Sequence, residues 1–162
     1  MFVLFRAVTF ATLFIALVLV YVPARLLARA GIATPATIAL PQAVGIAVAT
    51  AGAAIALWCV FTFAFVGKGT PAPFDPPCLL VTQGPYRFVR NPMYIGAVIA
   101  LAGAALFYHS SSLLFYAGAF LLAAHVLVVS YEEPALRRTF KQQYETYCAR
   151  VMRWWPNVYH RH

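Results

Sequence analysis

Four long apolar runs divide this chain, and nearly all of its charge lies between or after them. The runs cover about Phe2–Leu27 (interrupted by Arg6 and, near its end, Arg25), Leu40–Val66, Pro92–Tyr108 and Leu113–Ser130. A helix crossing a hydrocarbon core of roughly 30 Å needs about 20 apolar residues, with some latitude for tilt. Hydrophobic residues make up 63 % of the 162 residues and charged residues only 10 %, against roughly 25 % charge in soluble domains. A water-soluble fold of this size has too much surface for its volume to hide so much apolar area. The pattern predicts an all-α, polytopic membrane helix bundle of about four transmembrane helices, forming a single domain over residues 1–162.

The runs also carry packing signals. Gly45, Ala49 and Ala53 recur every four residues in the second run, and Gly96, Ala100 and Ala104 in the third. Such stripes let two helices approach closely. Pro92 fits the first position of a helix, where its missing N–H has no partner to lose, and Asn91 before it is a natural N-cap. The polar stretch His109–Ser112 predicts a tight turn. Ala28-Arg29-Ala30 resembles a signal-peptidase site, but the preceding apolar stretch is long for a signal peptide, and we expect an uncleaved anchor. Residues 1–66 thus read as two N-terminal helices, and residues 67–157 as a loop, a helical hairpin and a C-terminal segment. The loop Gly67–Arg90 contains five prolines and is too hydrophobic for a disordered linker. In Pro134–Val151, the spacing of Leu136, Phe140, Tyr144 and Tyr147 predicts an amphipathic cytosolic helix.

Charge sets the expected orientation. Four spans would put both ends on one side, together with the long loop and the tail, and ten of the twelve basic residues fall there, leaving Arg25 and Arg29 opposite. By the positive-inside rule that side is the cytoplasm, and a compact Ala-rich chain fits a bacterial inner membrane. The net charge of +8 is then a match to anionic headgroups; no nucleic-acid module accompanies it, so no nucleic-acid partner is expected. Cys59, Cys78 and Cys148 form no CxxC pair, so neither a zinc site nor a disulfide framework is expected, and no metal is assigned.

Only four acids are present. Asp75 and Glu145 read as solvated. Glu132 and Glu133 lie at the membrane end of an apolar helix, where an acid is costly unless paired or bound to a ligand. They could simply mark the membrane edge by pairing with Arg137 or Arg138. Adjacent helix positions point about 100° apart, so one Glu can face the bundle while the other faces arginines. A second dense segment, Leu79 to Gly96, clusters Tyr86, Arg87, Arg90 and Tyr94 at one membrane interface.

Taken together, Leu79–Gly96, Glu132-Glu133-Pro134-x-Leu136, and Phe140, Tyr144, Tyr147, Val151, Arg153, Trp154 and Pro156 resemble the isoprenylcysteine carboxyl methyltransferase and phospholipid methyltransferase family over about Cys78–Asn157. The resemblance implies an integral membrane enzyme that takes a methyl group from S-adenosylmethionine. The family's Arg-His-Pro-x-Tyr motif matches Arg90-Asn91-Pro92-Met93-Tyr94, and its Glu pair matches Glu132-Glu133. The stretch before the motif implies further cofactor contacts from Cys78, Leu79, Leu80, Val81 and Tyr86. Glu132, Tyr94 and Asn91 are the candidate catalytic residues, with Glu132 suited to the donor's ammonium and Arg87 or Arg90 to its carboxylate.

Two positions depart from the family. Asn91 replaces the usual His, so it can bind but cannot carry a proton near neutral pH. Val128 replaces the Arg that prenylcysteine-specific members use for the substrate carboxylate, which points away from that substrate. Val128 and His125 remain the candidate acceptor-side residues, His125 being the nearest conceivable base. The expected acceptor is a lipophilic small molecule or lipid: a phospholipid amine, a carboxylate, a thiol or an isoprenoid derivative. Two other readings compete. Membrane sterol reductases that use NADPH share a similar hairpin, but the Glu-Glu-Pro-x-Leu block and Arg153-Trp154-Trp155-Pro156 favour methyl transfer. A small transporter would need polar groups along its spans, and these have few apart from His125.

Overall fold

The computed structural model describes residues 9, 12–67 and 79–156; Lys68, Asp75 and Cys78 lie outside them. All regular elements among the described residues are helical. Helix α1 covers Thr12–Arg29, α2 Leu40–Thr62, α3 Pro92–Phe107, α4 Ser111–Phe140 and α5 Gln142–Arg150. Three of them (α1, α2 and α4) are long and apolar enough to cross a membrane, and the chain is a membrane protein. Of the four expected spans, the third is shorter: α3 has 16 residues, about 24 Å at 1.5 Å per residue.

The α2–α3 pair is the spine of the bundle, and its contact is backbone on backbone. A Cβ added at Gly103 would stand 2.3 Å from the backbone nitrogen of Ala49, and one at Gly52 would stand 2.4 Å from that of Ala100. Gly45 and Gly96 are similarly closed off, by Phe107 and by Gly52 with Ala56. Without a hydrophobic driving force between helices in lipid, such close van der Waals contact is what holds them. The seam follows Gly45, Ala49 and Gly52 on one helix and Gly96, Ala100 and Gly103 on the other. It therefore leaves the regular four-residue stripes at Ala53 and Ala104, because 3.6 residues per turn requires alternating steps of three and four.

Turns follow their local chemistry. Beyond α1, Gly31 takes a φ of 65°. The amide of Ala39 donates to Gln42 Oε1 at 3.2 Å, closing the start of α2. Ser110 caps α4 by accepting from the Leu113 amide at 3.3 Å, after His109 at a φ of 48° has reversed the chain. Helix α1 leans on α4, where the Tyr116 hydroxyl donates to the Val18 carbonyl at 3.2 Å and Phe14 meets Phe120.

Two local expectations are corrected. Asn91 holds the residue position before α3, but its side chain makes no cap bond; its amide donates instead to the Arg153 carbonyl at 3.4 Å. The stretch Pro134–Val151 is not one helix. It breaks at Lys141, whose φ is 46°, dividing the end of α4 from α5. The bend folds Leu136 and Phe140 against Tyr144, Tyr147 and Val151, with Leu80 closing the same cluster. A straight helix could not bring those side chains and Leu80 together.

Candidate active site

At one end of the α3–α4 hairpin a cleft of about 650 Å³ opens between four segments. The chain after α2 supplies Leu80, Val81 and Tyr86, α3 supplies Asn91, Met93 and Tyr94, α4 supplies Val128, Glu132 and Glu133, and α5 supplies Tyr144 and Tyr147.

The first wall is set by a short 3-10 turn, Gly84–Arg87. Gly84 has a φ of 59°, and a Cβ there would come within 2.8 Å of Thr62 Oγ1, so the turn seats directly on the end of α2. That seating packs Tyr86 with Cys59, Val81 and Met93 and edge-on to Phe63. Burial holds the Tyr86 phenol well above its ordinary value, so it stays neutral.

The second wall depends on how α4 carries two adjacent acids. Over Val128–Glu132 the helix widens into a π-helical turn, a feature that often marks functional sites. Glu132 and Glu133 then have separate environments. Glu132 accepts a hydrogen bond from the Tyr94 hydroxyl, joining α4 to α3 at the cleft. Glu133 is only 6 % exposed and is held by two arginines. Arg153 grips it in a fork, Nε to Oε1 at 2.6 Å and Nη2 to Oε2 at 2.9 Å, and Arg90 approaches Oε1 at 3.2 Å. Bidentate pairs of this kind are the strong, orienting ones.

Arg90 also reaches the Tyr144 hydroxyl at 3.4 Å and Cys148 Sγ, and its amide donates to the Met152 carbonyl at 2.9 Å. Arg90, Asn91, Glu133 and Arg153 thereby tie the segment after α5 to the start of α3. One donor in this network is left over: the Arg90 Nε–H is buried and has no partner among the described residues. Buried donors without a partner are uncommon in folded proteins.

The sequence-derived residues therefore distribute as follows. Leu80, Val81, Tyr86, Arg90, Asn91, Met93, Tyr94, Val128, Glu132 and Glu133 are brought together around the cleft. Leu79 is half exposed and Pro92 is buried in the start of α3; neither lines it. Cys78 lies outside the described residues. Arg87 is exposed and lies 4.5 Å over the Phe88 ring. His125 lines a different recess, an apolar groove between α3 and α4. Neither Arg137 nor Arg138 pairs with Glu132 or Glu133 among the described contacts; Arg137 meets Glu145 at 3.3 Å on the surface. Phe63, Leu136, Tyr144 and Tyr147 also line the cleft. The last three were visible in the sequence as one helix face, but only the bend at Lys141 turns that face inward.

A family model described as phospholipid methyltransferase matches residues 40–143, from the start of α2 into α5. Neither the curated proteins nor the solved structures gave a match.

Proposed function

The chain belongs to the phospholipid methyltransferase family, and from that membership we propose that its cleft transfers a methyl group from S-adenosylmethionine to a lipophilic acceptor. The observation that carries this reading is the contact between the Tyr94 hydroxyl and the Glu132 carboxylate. It joins the two segments on which the family resemblance rests, in the wall of a cleft that both of them line.

The residues present fit the donor. Its amino-acid end needs an anionic partner and a hydrogen-bond donor. Glu133 is already matched by Arg90 and Arg153, so Glu132, with a neutral phenol as its partner, is the carboxylate suited to the ammonium. Arg90, a cation that lines the cleft, suits the carboxylate. Leu80, Val81, Met93 and the rings of Tyr86, Tyr144 and Tyr147 give the apolar and aromatic lining that a base and sugar require.

When bound, the donor would supply a methyl group on a sulfonium: the acceptor's lone pair would form the new bond to the methyl carbon in line as the carbon–sulfur bond breaks and the neutral thioether leaves. The chain's own contribution is alignment. Tyr94 fixes the Glu132 carboxylate, the Glu133 clamp fixes the α4 turn that carries it, and the α5 tyrosines close the cleft against water. Asn91 donates to the Arg153 carbonyl and so acts in holding the cleft's closing segment. We place the cleft and both chain ends in the cytoplasm of a bacterial inner membrane, supported by the distribution of Lys and Arg.

The test is S-adenosylhomocysteine binding by purified protein, with Glu132→Gln as the variant. Loss of a charged partner should weaken binding about tenfold or more, with the fold retained. Unchanged affinity in the variant overturns the role of Glu132, and NADPH binding in place of S-adenosylhomocysteine overturns the reaction class.

A further inference from the structure

Three consecutive residues after α5 are each fastened to the bundle. Met152 accepts from the Arg90 amide at 2.9 Å, and Arg153 accepts from Asn91 while its guanidinium forks onto Glu133. The third, Trp154, has no part in that clamp. Its ring packs against the buried cluster of Tyr94, Ala124 and Val128, and Phe120 of α4 packs against the same cluster. The Phe120 ring centroid lies 6.3 Å from that of Tyr94 and 6.0 Å from that of Phe14 in α1. Tyr94 thus stands among side chains from α4 and from the segment after α5, and only 7 % of it is exposed.

The placement of Trp154 needs its own cause, because residues 151–155 form no helix and an irregular segment does not by itself orient a side chain. The cause is polar. The Trp154 indole N–H donates to His125 Nδ1 at 3.1 Å. An indole is a donor only, so Nδ1 is the unprotonated nitrogen of a neutral imidazole, and its lone pair is taken. His125 belongs to the apolar stretch of a membrane helix. Hydrocarbon offers neither group a water to replace a lost partner. The bond therefore fixes the indole on α4, in the turn before Val128.

We infer that Trp154 is a positioning residue for the cleft: anchored on His125, its ring braces Tyr94 so that the phenol hydroxyl stays aimed at Glu132. The inference rests on the proposed reading of the cleft, in which Tyr94 fixes the carboxylate that meets the donor's ammonium. A phenol ring is rigid, so a small tilt at its base displaces the hydroxyl, and a hydrogen bond weakens steeply with misalignment. His125 takes the part of an anchor, since the Nδ1 lone pair that could accept a proton is already engaged.

A double-mutant cycle tests this, with the S-adenosylhomocysteine affinity of the full chain in detergent as its readout. His125→Leu removes the indole's acceptor without adding a polar group to an apolar stretch. It should weaken binding about fivefold, and His125→Gln, whose side-chain oxygen can accept from the indole, should recover most of that loss. In a Tyr94→Phe background no hydroxyl remains to be aimed, so His125→Leu should there cost less than about twofold more. Trp154→Leu should follow His125→Leu in both backgrounds. Losses that multiply across the cycle overturn the inference, because they mark residues that only support the fold. Wild-type affinity in His125→Leu or in Tyr94→Phe, or no recovery in His125→Gln, also overturns it. A second measurement needs no ligand. With Trp58 and Trp155, the other two tryptophans, replaced by Phe, the remaining indole should emit at shorter wavelength once His125→Leu removes its partner; an unshifted spectrum refutes the anchor. Wild-type protein that binds no S-adenosylhomocysteine refutes the reading of the cleft itself, a failure recognisable before any variant is made.

Discussion

Glu132 and Glu133 are neighbours in the chain, yet they should respond in opposite ways to substitution. Glu133→Ala leaves Arg90 and Arg153 facing each other without their shared carboxylate, and should lower stability by roughly 3 kcal/mol; thermal unfolding in detergent would show it. Glu132→Gln removes a half-buried charge that has no cationic partner among the described residues, so it should leave the melting temperature unchanged or raised while ligand affinity falls. Equal melting losses in the two variants would contradict this division. Tyr94→Phe keeps the ring beside Phe120 but deletes the hydroxyl on Glu132. A loss of about tenfold in S-adenosylhomocysteine affinity is expected, and a wild-type value would limit Tyr94 to packing. Alkaline pH reads the cleft tyrosines. Burial raises the phenols of Tyr86, Tyr144 and Tyr147 above their ordinary value, whereas unfolded phenols ionise near pH 10. Stability from these groups is complete below about pH 10 and falls as pH rises past it. Unfolding midpoints followed from pH 8 to 11 should stay level and then drop. The sequence marked the acids and the tyrosines as unusual through their rarity and their place at a membrane edge. It could not assign the arginines, because Glu133 and Arg153 are matched by a fold 20 residues long, and no local spacing rule reaches that far.

Among the elements, the α2–α3 seam and the α4 groove give contrasting glycines. Gly103→Ala forces a methyl group onto the backbone of Ala49 and should destabilise by about 1–3 kcal/mol. Gly118→Ala meets open space and should stabilise by up to about 1 kcal/mol through helix propensity. Thermal shifts of the same sign for both would refute the seam. The existence and order of the helices were legible because apolar runs in lipid have few alternatives. The break at Lys141 and the π-helical turn at Val128–Glu132 were not. Each is decided by what the helix packs against, and hydropathy alone treats the stretches on either side as continuous.

For the molecule as a whole, the apolar anchor and the cleft are built by different forces. The anchor is close helix contact, legible as small-residue stripes. The cleft is a polar tie among the start of α3, the turn of α4 and the segment after α5, and its closure across the bend at Lys141 could not be read from sequence. This tie has a consequence for a shortened chain. Asn91 and Arg153 are 62 positions apart, and the guanidinium that clamps Glu133 follows the last apolar helix in the chain. A chain shortened to end before Arg153 should therefore keep its membrane helices while losing the forked clamp on Glu133.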